Sequence, residues 1–227
     1  GERPAEFLRE RCVAIAQSLQ RAGAKALVIA CNTASAVAAE AIRAAVSVPV
    51  IALEPGVKPA AESSRNGRIG VLATQRTLES ERFQRLLGTY GQGREVFGQA
   101  CTGLADAIEN DGPASARVAA LLDRYVTPLA ALQVDTVVLG CTHYPWASAE
   151  IARRLPPETR LVDTGEAVAR QLTRRLQAEH CAGGGHSRLL AGASVEPATL
   201  AEKIERLWGA PLPLIFWSPQ ALPEYSA

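Results

Sequence analysis

Ala26-Leu27-Val28-Ile29-Ala30-Cys31-Asn32-Thr33-Ala34-Ser35 is an apolar run that stops at a cysteine and continues in small polar residues. The same layout returns 110 residues further on, in Thr136-Val137-Val138-Leu139-Gly140-Cys141-Thr142-His143-Tyr144-Pro145. A parallel strand covered on both faces reads as a continuous apolar run, because neither face meets water. In open α/β sheets, ligands collect beyond the carboxyl ends of such strands. Both stretches therefore read as buried strands, each delivering a thiol to a ligand-binding edge.

Working outward from the first cysteine, residues 7–22 carry Phe7, Leu8, Cys12, Ile15, Ala16 and Leu19 at helical spacing, with Gly23 as the stop. Residues 25–31 form the expected strand, 33–45 an alanine-rich helix and 49–53 another strand; Glu54-Pro55-Gly56-Val57-Lys58-Pro59 breaks the pattern as a domain crossing. A fresh unit opens with a strand at 68–74 and a helix at 77–87 capped by Thr77. A weaker strand at 96–101, a short helix at 104–110 and a long helix at 114–132 follow, with Pro128 as a kink or second start. After the strand into Cys141 come a helix at 147–155, a strand at 160–163 and a helix at 166–178. Gly183-Gly184-Gly185 is a turn rather than a phosphate cradle; a strand at 188–193, a helix over Pro197–Trp208 and a proline-rich, extended tail complete the chain.

Alternating strands and helices with short connections argue for parallel sheets covered on both faces. Helix, strand, Cys, helix, strand occurs over residues 7–53 and again over 117–163. The reading is two similar parallel-sheet α/β domains facing each other across a cleft, residues 1–57 with 166–227 in the first and 58–165 in the second.

The 227 residues carry 24 basic and 23 acidic side chains, so no strong field recruits nucleic acid or an anionic membrane, and the partner reads as a small molecule. No stretch approaches the roughly 18 apolar residues of a membrane helix, and the first residues resemble no signal peptide. Five unpaired-looking cysteines do not make a secreted disulfide framework, so reduced thiols and a cytoplasmic location fit. Cys12, Cys101 and Cys181 read as packing or incidental surface residues. The chain contains no Met, which leads us to expect residues ahead of Gly1.

Two thiols on opposite faces of a substrate suit deprotonation of a carbon beside a carboxylate and reprotonation from the other side. A thiol's reference pKa of about 8.5 is tunable toward neutrality by cations or a helix amino terminus. Asn32, Thr33 and Thr142, with the N–H groups of two helix starts, are placed to hold a carboxylate and an ammonium. His143 is near enough to tune Cys141; Thr74 ends a strand; Glu109 either meets the substrate ammonium, orients His143 or is an exposed helix carboxylate. Rival readings are a Cys-His covalent nucleophile, a metal site on Cys31, Cys141 and His143, and a two-lobed small-ligand binder. The metal reading is weak, with three histidines and no Cys-x-x-Cys pair. An aldehyde cofactor needs a lysine, and only Lys25, Lys58 and Lys203 exist.

Ala30 to Ser35, Leu139 to Pro145, and Gly70-Val71-Leu72-Ala73-Thr74 with Thr77 resemble the motifs of the cofactor-independent aspartate/glutamate racemase family, over Gly1 to about Gly209. The resemblance implies two α/β domains, no cofactor, no metal, a homodimer, and Cys31 and Cys141 as the two acid/base residues. It places Asn32, Thr33, Thr142, His143 and Thr74 at the substrate and Glu109 nearby. The implied activity is interconversion of L- and D-glutamate, supplying D-glutamate for peptidoglycan; composition does not separate glutamate from aspartate or another amino acid. Family members begin with a strand and an Asp-Ser turn, then a Tyr-Gly pair at the substrate. Gly1 matches the glycine of that pair, so the resemblance puts Gly1 at the substrate and the earlier elements ahead of it; the chain starting at Gly1 is accordingly expected to be poorly active alone.

Overall fold

The computed structural model describes residues 3–179, 189, 191–193 and 197–216. Gly1, Cys181, the glycine turn and the tail beyond residue 216 lie outside the described residues.

The first unit contains α1 (Ala5–Arg21), β1 (Leu27–Ile29), α2 (Asn32–Ala45) and β2 (Val50–Ala52). β1 and β2 pair in parallel, with Ile29 opposite Ala52. The second comprises α3 (Val57–Ser63), β3 (Arg68–Ala73), α4 (Gln75–Glu79), α5 (Glu81–Tyr90), β4 (Glu95–Ala100), α6 (Leu104–Asp111), α7 (Ala116–Ala131) and β5 (Thr136–Leu139). A 3-10 turn (Tyr144–Ala147), α8 (Ser148–Ala152) and β6 (Arg160–Val162) close that unit. Beyond it run α9 (Gly165–Ala178), β7 (Ala191–Ala193), α10 (Pro197–Trp208) and β8 (Leu214–Phe216), with β7 and β8 a small parallel pair.

The second sheet is wholly parallel, in the order β4-β3-β5-β6. β3 and β5 are its central strands, and their apolar runs are buried almost throughout. Successive side chains alternate between faces. Ile69, Val71, Ala73 and Val138 pack under α3 and α5, while Leu72, Val137 and Leu139 pack against α6 and α7. β4, the weaker strand of the sequence, is an edge strand and only half covered. The chain runs from β3 outward to β4 on one side, then returns to place β5 and β6 on the other, so the strand order reverses between β3 and β5. Ligands of doubly wound sheets bind at such a reversal, and Thr74 and Cys141 follow the two strands that flank it.

Three sequence expectations change. The supposed break at residues 54–59 contains the start of α3: Pro59 stands in the first turn, where its missing N–H has no intrahelical partner to lose, and Val57, Ala60 and Ala61 are buried. The helix expected at 77–87 is two helices, α4 and α5. Thr74 rather than Thr77 caps the first, accepting the Thr77 N–H at 3.2 Å, and Ser80 caps the second by accepting the Phe83 N–H. α7 runs through Pro128 without a second start. The ring costs one backbone bond, but Leu129 just beyond it is buried, and a Cβ on Gly70 would sit 3.0 Å from its methyl, so close packing on β3 holds the last turn in place. Among the described residues, no helix is long and apolar enough to cross a membrane.

Candidate active site

Cys31 leaves β1 in extended conformation and is the residue before the first turn of α2, where Ser35 N–H donates to its carbonyl at 2.8 Å. Its thiol is exposed at the end of the helix that favours anions. The next two side chains turn inward and are buried. Asn32 Nδ2 donates to the carbonyl of Gly140 at 3.0 Å, joining the residue after one cysteine to the residue before the other; Asn32 Oδ1 has no partner. Thr33 Oγ1 lies 2.9 Å from Thr74 Oγ1 and 3.3 Å from Thr77 Oγ1, and those two hydroxyls are 2.9 Å apart. Three hydroxyls thus tie the start of α2 to the end of β3.

Cys141 follows Gly140, whose N–H donates to the Leu72 carbonyl at 2.7 Å. The thiol is half-buried, 4.0 Å from His143 Nδ1. His143 Nε2 lies 3.1 Å from Glu109 Oε2, and its ring meets Trp146 edge-on at 5.7 Å. Glu109 Oε1 is 3.4 Å from Lys203 Nζ. Burial pushes the Cys141 thiol above its ordinary value; the backbone N–H of His143 and the Thr142 hydroxyl oppose the rise, and Cys31 adds to it. Burial, with a smaller contribution from Cys31, thus favours the thiol form of Cys141. One base and one acid is the state that proton transfer across a substrate requires.

The structure brings together Cys31, Asn32, Thr33 and Thr74 on one side and Cys141, Thr142, His143 and Glu109 on the other, joined by the Asn32–Gly140 bond. Gly1 lies outside the described residues. A cavity of about 690 Å³ opens beside His143, Glu109 and Thr74. Cys101 borders it, but burial pushes this thiol up to about 12, in keeping with a packing role. Cys12 packs into the first unit's core. Among the described residues, no three His, Cys, Asp or Glu side chains are grouped to hold a metal. The sequence reading missed two participants. Thr77, in the strand-and-turn motif but with no site role in the sequence reading, bonds Thr33, and Lys203 is linked to Glu109 across 94 residues, a separation with no local signal.

A thiol pair at two matched strand ends, with an imidazole and carboxylate behind one of them, supplies groups suited to acid/base chemistry. The family model for Asp/Glu/Hydantoin racemases matches residues 2–172, and the chain belongs to that family. It is 44% identical over 227 residues to the glutamate racemase of Pseudomonas aeruginosa, covering 98% of this chain and 82% of the relative. Among solved structures, glutamate racemase RacE1 of Bacillus anthracis superposes with a TM-score of 0.85 at 28% identity, covering 96% of this chain and 82% of that one. The Escherichia coli glutamate racemase, solved with L-glutamate and the activator UDP-MurNAc-ala, gives 0.80 at 32% identity, covering 94% and 81%.

Proposed function

We propose that this chain interconverts L- and D-glutamate, with Cys31 and Cys141 as the two acid/base groups. The thiolate of one takes the α-proton while the thiol of the other returns a proton to the opposite face. Each turnover exchanges their roles. Charge left on the α-carbon passes into the substrate carboxylate, which the first N–H groups of α2 and the hydroxyls of Thr33, Thr74 and Thr142 are suited to hold. Asn32, whose Oδ1 lacks a partner, offers an acceptor for the ammonium. Glu109 holds His143, and His143 handles the proton of Cys141.

The observation that carries the reading is the buried Asn32–Gly140 bond, which fixes the two cysteine-bearing strand ends against each other. The relatives' activity and the L-glutamate complex of the Escherichia coli enzyme support the substrate. The reading includes a division into residues 1–57 with 166–227 and 58–165, a homodimer in the cytoplasm, no required cofactor, and D-glutamate delivered to peptidoglycan.

Cys31→Ser and Cys141→Ser test it. Each is expected to slow racemisation by about 10²–10⁴-fold, the usual contribution of one acid/base group, with the thermal melt unchanged. The assay follows circular dichroism from each glutamate enantiomer in dialysed protein with nothing added. Full activity in either variant sinks the two-base mechanism. Turnover of aspartate in place of glutamate reassigns the substrate, and activity recovered only with a metal or pyridoxal phosphate removes the cofactor-free reading.

A further inference from the structure

We infer that Lys203, on α10, is a positioning residue for the acid/base centre at Cys141, acting through Glu109 and His143; this rests on the proposed role of Cys141. The two oxygens of Glu109 are committed in different directions, Oε2 to His143 Nε2 at 3.1 Å and Oε1 to Lys203 Nζ at 3.4 Å. A glutamate held at one oxygen still swings about its side-chain torsions; one held at both is fixed. With Glu109 fixed as an acceptor at Nε2, the neutral ring carries its proton there and leaves Nδ1 as a lone pair facing Cys141 Sγ, 4.0 Å away. That is the tautomer able to take the thiol's proton.

The backbone beneath Glu109 is held by the same helix. Arg206, three residues beyond Lys203, donates to the carbonyls of Glu109 at 2.5 Å and Asn110 at 3.0 Å, at the end of α6 where carbonyls lack helical partners and cations are favoured. Leu207 packs against the main core, so α10 is seated on α6 by an apolar contact as well as by charge. One cation of α10 sets the position of Glu109's backbone and the other orients its side chain. A bridge between exposed side chains contributes little, but this one is one-third exposed on each side and its carboxylate is shared with the imidazole. The contrasting case is Lys58, which meets Glu62 at 4.0 Å with both side chains more than half exposed.

The test compares Lys203→Met, which keeps the stem and removes the charge, with Lys203→Arg, Glu109→Gln and the Lys203→Met/Glu109→Gln double variant, in the full chain. Two quantities are measured: racemisation of glutamate, and the rate at which iodoacetamide alkylates Cys141, resolved by peptide mass with Cys31 as reference in the same sample. Lys203→Met is expected to lower kcat about tenfold, equivalent to about 1.4 kcal/mol of barrier, with KM little changed. Cys141 alkylation should slow by a similar factor and Cys31 alkylation should not. Lys203→Arg should restore most of the loss. In the Glu109→Gln background Lys203→Met should add nothing, because residues acting in one chain of contacts are not additive. Full additivity, equal slowing of both thiols, an unchanged Cys141, failure of the arginine to rescue, or loss of the cooperative melt in both Lys203→Met and the milder Lys203→Gln would overturn the inference. If the unsubstituted chain turns over another amino acid in place of glutamate, the glutamate reading falls, and the alkylation comparison still decides whether Lys203 acts on Cys141.

Discussion

At the scale of single residues, Gly140 sets how closely the end of β5 lies against β3. A Cβ there would stand 2.7 Å from the Leu72 carbonyl oxygen and 2.9 Å from Ala73 Cβ, contacts that backbone cannot relieve without moving. Gly140→Ala must push the end of β5 away from β3, carrying the Gly140 carbonyl off Asn32 and displacing Cys141. Overpacking of this kind costs about 1–3 kcal/mol, and a misplacement near 1 Å at a reacting group slows catalysis by about 10²-fold. A differential scan and a racemisation assay check both; a variant that melts and turns over like the parent removes the argument. The residues flanking the two cysteines were legible because strand ends and helix starts are local features. Glu109 was not settled by position alone, since an exposed helix carboxylate and a partner of His143 look the same in sequence; the resemblance placed it near the site, and the fold brought it to the imidazole.

At the scale of elements, the turn between α3 and β3 is tied to the start of β5 by one carboxylate. Asp135 accepts from Ser64 Oγ, Arg65 N–H and Asn66 N–H, each at 2.7 Å, and from Thr136 Oγ1 at 2.9 Å. Burial works to raise its pKa, but these four bonds outweigh burial and hold it below the usual carboxylate value. A carboxyl depressed on folding stabilises the protein above its unfolded value of about 3.9, and that stabilisation disappears as pH falls through the folded value. Asp135→Asn keeps the shape but replaces an acceptor with an NH₂ group. It should cost about 1 kcal/mol at pH 7, a charged hydrogen-bond contribution discounted for partial exposure. Urea unfolding at pH 7 and in stronger acid should show the difference between the two proteins shrinking on acidification. An equal difference at both would show that the carboxylate's charge is not the source. The alternation of strands and helices, the internal echo and the weakness of β4 were legible from apolar runs. α3 was hidden because Gly56 and Pro59 read as breakers when Pro59 stands in a helical first turn, and the division of α4 from α5 was hidden because Ser80 was not read as a cap.

At the scale of the whole molecule, the two units are unequal, and the proposed function puts the substrate between them. The sheet β4-β3-β5-β6 has large aliphatic and aromatic side chains buried on both faces, Leu72, Leu104, Ile108 and Leu122 on one and Ile69, Val71 and Phe83 on the other. The first unit's cluster is built on Ala16, Leu27, Ala38 and Ile42, and α9 has none of its 14 residues buried. Apolar burial stabilises by about 25 cal/mol per Å², so small side chains give β1, β2 and α9 lower opening free energies than β3 and β5. Amide exchange should therefore show β3 and β5 opening only with global unfolding, and α9 and the β1–β2 pair opening earlier. A ligand that binds only the closed arrangement adds RT ln(1 + [L]/Kd), about 2.7 kcal/mol at 100 times Kd. Saturating glutamate should thus slow exchange in β1 and the first turn of α2 by up to about 100-fold, since openings there break the site apart. Protection gained only after β5, with the segment around Cys31 unchanged, would place the ligand on one unit alone and remove Cys31 from the reaction.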